Sequence, residues 1–175
     1  MTPQVIFPMD LFLGYAAWLL CFGTYIWPRL KAMGNVNAQR AIATLHSFRF
    51  IGLVFLVPGV VGPHLPANFA AFAAYWDLAT ALLAIVALLM VRVKPLFWLF
   101  VTAFNLVGTI DLLVDYHHAT SGGLREMPGE LGAAFVIPVI IVPALMITHV
   151  AAFYLLIRPR ISANRALSPE GGPQL

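Results

Sequence analysis

The chain has 175 residues, of which 61% are hydrophobic and 10% are charged, and its formal net charge is +3. This composition excludes a soluble domain and gives room for about five membrane crossings of about 20 residues each. The positions of the few charged residues indicate how the helices are oriented in the membrane, and they do not indicate a nucleic-acid partner. Because Cys21 is the single cysteine, an intrachain disulfide and a thiolate cluster are excluded.

Apolar segments and the turn residues between them predict one all-α membrane domain over residues 1–161, a bundle of five transmembrane helices. The helices are expected at about 8–27, 38–61, 66–91, 95–118 and 131–157. The first has no basic region before it and no small-residue cleavage site, so it is expected to stay in the mature protein. Residues 162–175 lack apolar periodicity, which predicts a disordered cytoplasmic tail.

The second and third predicted helices carry charged residues in apolar surroundings. His46 and Arg49 lie in the first half of helix two, and Asp77 lies in helix three among small residues that favour close packing. The short, proline-rich loop at 62–68 makes these two helices neighbours. Because an arginine inside a membrane keeps its charge and needs an anion, the sequence predicts an Arg49–Asp77 ion pair. The alternative is that Arg49 extends to lipid phosphates.

Helix four has polar residues at helical spacing. Four of them recur every three or four positions and share one face: Asn105, Gly108, Asp111 and Asp115. An unpaired carboxylate in hydrocarbon costs several kcal/mol, so this face is expected to turn toward protein or a wet cavity. Helix five contains Pro138 and Pro143, which predict a kink or local unwinding.

Six polar residues form the candidate ligand- or proton-binding set: His46, Arg49, Asp77, Asn105, Asp111 and His149. Membrane entry is placed at about Ile42, Arg92, Pro95 and Arg158. A rise of about 1.5 Å per residue then gives depths from about 6 Å for His46 to about 24 Å for Asp111, with Arg49 about 12 Å short of Asp77. This count predicts a ladder of polar groups rather than a ring.

The histidines raise the question of metal or haem binding. Axial haem ligation needs two imidazoles at similar depth, and His46 and His149 differ by about 7 Å on this count. His149 with Asp77 and Asp111 offers better ligands for a divalent metal, but no helix carries an H-x-x-x-H or H-x-x-E-H spacing. A hydrogen-bonded packing role is therefore the favoured interpretation of His149, and metal and haem are the weaker alternatives.

The basic residues predict the orientation of the bundle. Of ten Lys and Arg residues, eight follow helix one or helix three or lie at the C-terminal end. Cytoplasmic loops carry the excess of basic residues, so the N-terminus is expected outside and the C-terminus in the cytoplasm.

Four stretches carry a resemblance: LHSFRFIGLVFL at Leu45–Leu56, AAYWDLATALLA at Ala73–Ala84, FNLVGTID at Phe104–Asp111 and VIPVIIVPALMITH at Val136–His149. Over about residues 40–157 the chain resembles a group of small bacterial multi-pass membrane proteins without an assigned activity. The resemblance implies that the six polar residues belong together. It implies no reaction, cofactor or partner. A bacterial inner membrane is the expected location of the chain.

Three functions from different classes fit these residues. The first is binding or carriage of a proton or small solute, with Asp77 and Asp111 accepting protons or cations and Arg49 holding an anion. Five helices barely enclose a path, so this function favours a homodimer. The second is an intramembrane enzyme acting on a lipid or isoprenoid, with His149 or Asp77 as acid or base. The third is an accessory subunit of a larger membrane complex. Phosphate-loop, dinucleotide and nucleophile-elbow motifs are absent, so an enzyme is the less favoured class.

Overall fold

A computed structural model describes residues 3–121 and 127–157 of the chain. Every regular element in these residues is helical, with six α-helices joined by 3-10 and π segments. The all-α class is therefore confirmed for this part of the chain. The tail predicted at 162–175 lies outside the described residues.

The α-helices are α1 (Pro3–Cys21), α2 (Trp27–Ala32), α3 (Asn35–His46), α4 (Ala67–Leu89), α5 (Lys94–Ser121) and α6 (Val142–Ile157). The 3-10 segments are Ser47–Leu56, Met90–Arg92 and Pro128–Phe135, and the π segments are Phe22–Ile26 and Ile137–Ile141. Pro138 lies at the start of the second π segment. The distortion expected around the prolines is thus a π segment that leads into α6.

Four helical stretches are long and apolar enough to cross a membrane: Val5–Ala32, Ala67–Arg92, Lys94–Ala119 and Ile137–Ile157. Large apolar side chains cover their outward faces, and Phe12, Leu20 and Ile157 are 71%, 72% and 81% exposed. Water would penalise so much exposed apolar surface, whereas lipid tails accept it. The described residues thus have the apolar exterior of a membrane protein.

The segment predicted as helix two over 38–61 differs in form from these four apolar stretches. It begins at Asn35, passes at Ser47 into a 3-10 helix of ten residues, and ends at Leu56. A 3-10 helix has three residues per turn, so side chains three positions apart lie above one another. Arg49, Gly52 and Phe55 follow this spacing and form the buried face of the segment.

Helix α4 packs closely against the Ser47–Leu56 segment and against α5. Its inner face is made of small side chains, and Ala73, Ala74 and Ala84 are at most 2% exposed. Small residues let membrane helices approach one another at short range. The close packing predicted for this helix is confirmed.

Two apolar clusters lie on either side of the polar residues. One includes Phe7, Phe55, Leu65 and Leu131, and the other includes Leu30, Ile42, Phe97 and Phe104. Along α4, Ala74 belongs to the first cluster and Ala84 to the second, and Asp77 and Thr80 lie buried between them. The polar residues therefore form a layer within the bundle.

The Pro128–Phe135 segment is held against the loop after the long 3-10 segment. Gly62 N donates to Glu130 O at 2.7 Å, and Ala133 N donates to Val60 O at 3.1 Å. Gly132 has φ +52°, and a Cβ there would overlap Val60 O, so only glycine fits this turn. The pairing holds Leu131 fully buried within the first apolar cluster.

Candidate functional site

One arginine lies between two carboxylates inside the bundle. Arg49 comes from the long 3-10 segment and is 1% exposed. Its Nε donates to Oδ1 of Asp77 on α4 at 2.6 Å, and its Nη2 pairs with Oδ2 of Asp111 on α5. The predicted Arg49–Asp77 contact is confirmed, and Asp111 is a second partner. This ion-pair cluster (Arg49, Asp77 and Asp111) joins three elements of the bundle.

Two glycines leave the space that the ion-pair cluster occupies. A Cβ at Gly52 would overlap the carboxylate of Asp77, and a Cβ at Gly108 would lie 2.5 Å from Arg49 Nη1. Gly108 also accepts a hydrogen bond from Arg49 Nη1 at its carbonyl oxygen, at 3.2 Å. The backbone at both positions therefore approaches charged groups more closely than any side chain would allow.

A hydrogen-bonded chain extends from Arg49 to α6 and back to α5. Arg49 Nη1 lies 3.3 Å from His149 Nε2, and His149 Nδ1 lies 2.9 Å from Asn105 Oδ1. Arginine can only donate, and Asn105 Nδ2 already donates to Val101 O at 2.8 Å. These contacts assign the proton of a neutral His149 to Nδ1, and they fix the imidazole in place.

His46 is completely buried, and its ring packs on the ring of His149 with 4.1 Å between centroids. His46 Nε2 lies 3.0 Å from the hydroxyl of Thr148, which itself donates to Ala144 O at 2.8 Å. The hydroxyl is then the acceptor and Nε2 the donor. The other ring nitrogen, Nδ1, has no hydrogen-bond partner among the described residues.

All six residues of the predicted set lie in one connected group, so the predicted ladder of depths is wrong. The count for helix two started at Ile42, whereas α3 begins at Asn35. Measured from Asn35 along the helix axis, Arg49 lies about 22 Å away, at a rise of about 1.5 Å per α residue and about 2.0 Å per 3-10 residue. Asp77 lies about 24 Å from Arg92 by the same measure, which agrees with the observed contact between the side chains of Arg49 and Asp77.

The geometry of the site also bears on whether it could bind a metal ion or a haem. The described residues contain no group of three or more His, Cys, Asp or Glu side chains that could hold a metal ion. The rings of His46 and His149 are in direct contact, which leaves no space for a haem iron between them. His149 uses both ring nitrogens in hydrogen bonds to protein groups.

The ion-pair cluster has more carboxylates around it than its single guanidinium can pair. Asp115 lies one turn beyond Asp111 on α5, and its Oδ1 is buried without a hydrogen-bond partner in the described part of the chain. Oδ1 of Asp111 is likewise unpaired there. Buried acceptors of this kind stabilise a proton, a cation or a hydrogen-bond donor that reaches them.

A cavity of about 280 Å³ adjoins the ion-pair cluster. Its walls are mostly apolar and include Phe7, Phe55, Phe69, Leu131, Ile141 and Leu145. Four residues form its polar part: Arg49, Asp77, Asp115 and Tyr116. Of the predicted set, only Arg49 and Asp77 line the cavity, whereas His149 lies behind Arg49 and does not. The cavity therefore has mostly apolar walls and a charged end.

Sequence reasoning left some residues of this site out of the predicted set. Asp115 was noticed on the polar stripe, four residues after Asp111, and that spacing was the available signal. Gly52 had no comparable signal, because its role depends on the 3-10 turn that brings it against Asp77. Tyr116 also lines the cavity, and no pattern in the sequence singles it out.

The chain matches a known family of sequences. A family model described as Domain of unknown function (DUF8737) matches residues 6–157, which include every residue of the site. No curated protein and no solved structure shows a significant match to the chain.

Proposed function

The chain belongs to this family of unknown function, and from the site we propose that the protein is a membrane-embedded binding protein for a small amphipathic molecule. The apolar body of the ligand occupies the cavity, and its polar head lies against Arg49, Asp77 and Asp115. The single observation that carries this proposal is the joining of an apolar cavity to a buried ion-pair cluster.

The lining of the cavity supports an amphipathic ligand over a hydrated ion. Binding pockets for small molecules are mostly apolar, with a few polar groups that fix orientation. A path for hydrated ions would need polar walls along its length, but Phe7, Phe55 and Leu131 form apolar walls here. At about 30 Å³ per water-sized group, the cavity holds roughly nine non-hydrogen atoms.

We propose five crossings, with the second made by α3 and the Ser47–Leu56 segment together. In support, twelve α residues and ten 3-10 residues span about 38 Å, enough for a hydrocarbon core of about 30 Å. The basic residues then favour an N-terminus outside and a C-terminus in the cytoplasm, in a bacterial inner membrane.

This topology predicts opposite accessibility of the two loops that flank the second crossing. Single cysteines placed at Gly34 and Pro63, in a Cys21→Ala background, should react differently with a membrane-impermeant maleimide. Labelling of intact cells is expected at position 63 and not at position 34. Labelling at both positions would show that the second segment does not cross the membrane, and labelling at position 34 alone would reverse the orientation.

Filling the cavity is expected to weaken binding of an amphipathic probe. Ala73 lines the cavity, so Ala73→Leu places three more carbons inside it. In phosphatidylcholine nanodiscs, with empty nanodiscs as the blank, calorimetric titration with octanol should show affinity at least tenfold lower for Ala73→Leu. The control is Ala71→Leu, on the same helix but outside the cavity lining, which should bind octanol as the natural chain does.

Equal octanol binding by the natural chain and Ala73→Leu would contradict the proposal. It would leave proton binding as the better function, which the unpaired Oδ1 atoms of Asp111 and Asp115 favour. In that case reconstituted vesicles should show a proton flux that Asp115→Asn abolishes.

A further inference from the structure

We propose that the head group of the ligand is an ammonium, so that the site takes a small hydrophobic amine. The inference rests on the proposed amphipathic ligand and adds the chemistry of its head. It follows from an inventory of hydrogen-bond donors and acceptors at the polar part of the cavity.

The donors of Arg49 are almost all engaged by the protein itself. Nε donates to Asp77, and Nη2 donates to Asp111. Nη1 donates to Gly108 O at 3.2 Å and contacts His149 Nε2 at 3.3 Å. Four of the five N–H groups of the guanidinium are therefore used. Arg49 has little capacity left to bind a carboxylate or phosphate head.

The acceptors at the same place are in excess. Asp77, itself 6% exposed, gives one oxygen to Arg49, and its other oxygen faces Gly52, which has no side chain to donate. Asp115 lines the cavity and keeps a buried Oδ1 without a partner in the described residues. An ammonium supplies up to three donors and one positive charge, and both match this deficit.

The charged groups around the cavity also favour an ammonium head over an anionic one. Asp77 and Asp111 pair with one guanidinium and Asp115 lines the cavity beside them, so an anionic head would bring a further acidic group to a place where carboxyl groups already outnumber the cation three to one. Like charges at close range inside a protein are strongly unfavourable, and a cation reduces the excess. The rest of the cavity is apolar, so the cation must carry a hydrocarbon body, and head and body together have roughly nine non-hydrogen atoms.

Three eight-carbon probes with the same body and different heads test this inference: octylammonium, octanol and octanoate. Titrated into the full-length protein in phosphatidylcholine nanodiscs, octylammonium is expected to bind at least tenfold more tightly than octanol, and octanoate more weakly than either. Asp115→Asn should lower the affinity for octylammonium at least tenfold, whereas the affinity for octanol should fall much less, because an uncharged hydroxyl head can still hydrogen-bond to the amide. Retained octanol binding also shows that the variant is folded.

The matched control is Asp10→Asn, a carboxylate removed from α1 at a position that does not line the cavity. It should leave all three affinities unchanged. Octanoate binding most tightly, or octylammonium binding that is indifferent to Asp115→Asn, would overturn the ammonium head while leaving the amphipathic ligand intact. Failure of all three probes to bind the natural chain would instead overturn the proposed function itself, and the ammonium head with it.

Discussion

Arg49→Gln is expected to destabilise the protein more than any other single polar substitution, by about 3–5 kcal/mol in the free energy of unfolding. The substitution leaves Asp77 and Asp111 buried without their shared counter-charge, since both pair with Arg49 in a cluster that is almost fully buried. It also removes the contacts of Nη1 with Gly108 O and His149. Unfolding in mixed detergent micelles, followed by circular dichroism, measures the loss.

The same measurement on combined variants separates charge from packing. Asp77→Asn alone should cost less than Arg49→Gln, because Arg49 keeps Asp111 as a partner. The double variant Arg49→Gln with Asp77→Asn should recover part of the stability lost in Arg49→Gln, and the triple variant that also carries Asp111→Asn should recover more. The changes in the free energy of unfolding should depart from additivity by more than about 1 kcal/mol.

The control for these variants is Arg40→Gln, at an exposed arginine on α3. Its effect should stay within about 0.5 kcal/mol. Strictly additive losses for Arg49 and Asp77 would show that their contact contributes no coupling energy.

The sequence was sufficient to predict the Arg49–Asp77 contact because that prediction needs little geometry. A permanently charged side chain in an apolar helix requires an anion, and a short loop makes the next helix the nearest source. Asp111 was not predicted as a second partner, since the depth count separated it from Arg49 by about 14 Å. The count failed where it relied on an assumed membrane boundary in place of the true start of α3.

The 3-10 form of Ser47–Leu56 was not predictable from the residue pattern. SFRFIGLVFL is apolar throughout except for Ser47 and Arg49, so an α-helix and a 3-10 helix fit its composition equally well. What distinguishes them is tertiary: the three-residue repeat aligns Arg49, Gly52 and Phe55 toward the bundle. Packing against α4 therefore selects the helix type here, and local propensity does not.

The cavity was beyond sequence reasoning for a related reason. Its walls come from seven separate helical segments, and its volume is the space that their side chains fail to fill. No single segment encodes that space. The residues at its charged end were foreseeable in part, because carboxylates at helical spacing on α5 had to face inward, and Asp115 follows Asp111 at that spacing.

Gly108→Ala is expected to lower the free energy of unfolding by about 1–3 kcal/mol, although alanine is the better helix former by about 1 kcal/mol. Gly108 lies in the middle of α5, where a Cβ would come within 2.5 Å of Arg49 Nη1, 2.7 Å of His149 Nε2 and 2.8 Å of Thr80 Cγ2. None of these neighbours can move freely, because Arg49 is held by its ion pairs and His149 by Asn105.

A matched glycine on another helical stretch isolates the steric cause of this loss. Gly23 is exposed, and a Cβ there would meet nothing within 4 Å, so Gly23→Ala should be neutral or stabilising by up to about 1 kcal/mol. Both variants are compared by the same micelle unfolding titration. Opposite signs for the two substitutions are the expected result, because only Gly108 is pressed against the ion-pair cluster. If Gly108→Ala instead stabilised the protein as Gly23→Ala does, the guanidinium could not lie against the α5 backbone at Gly108.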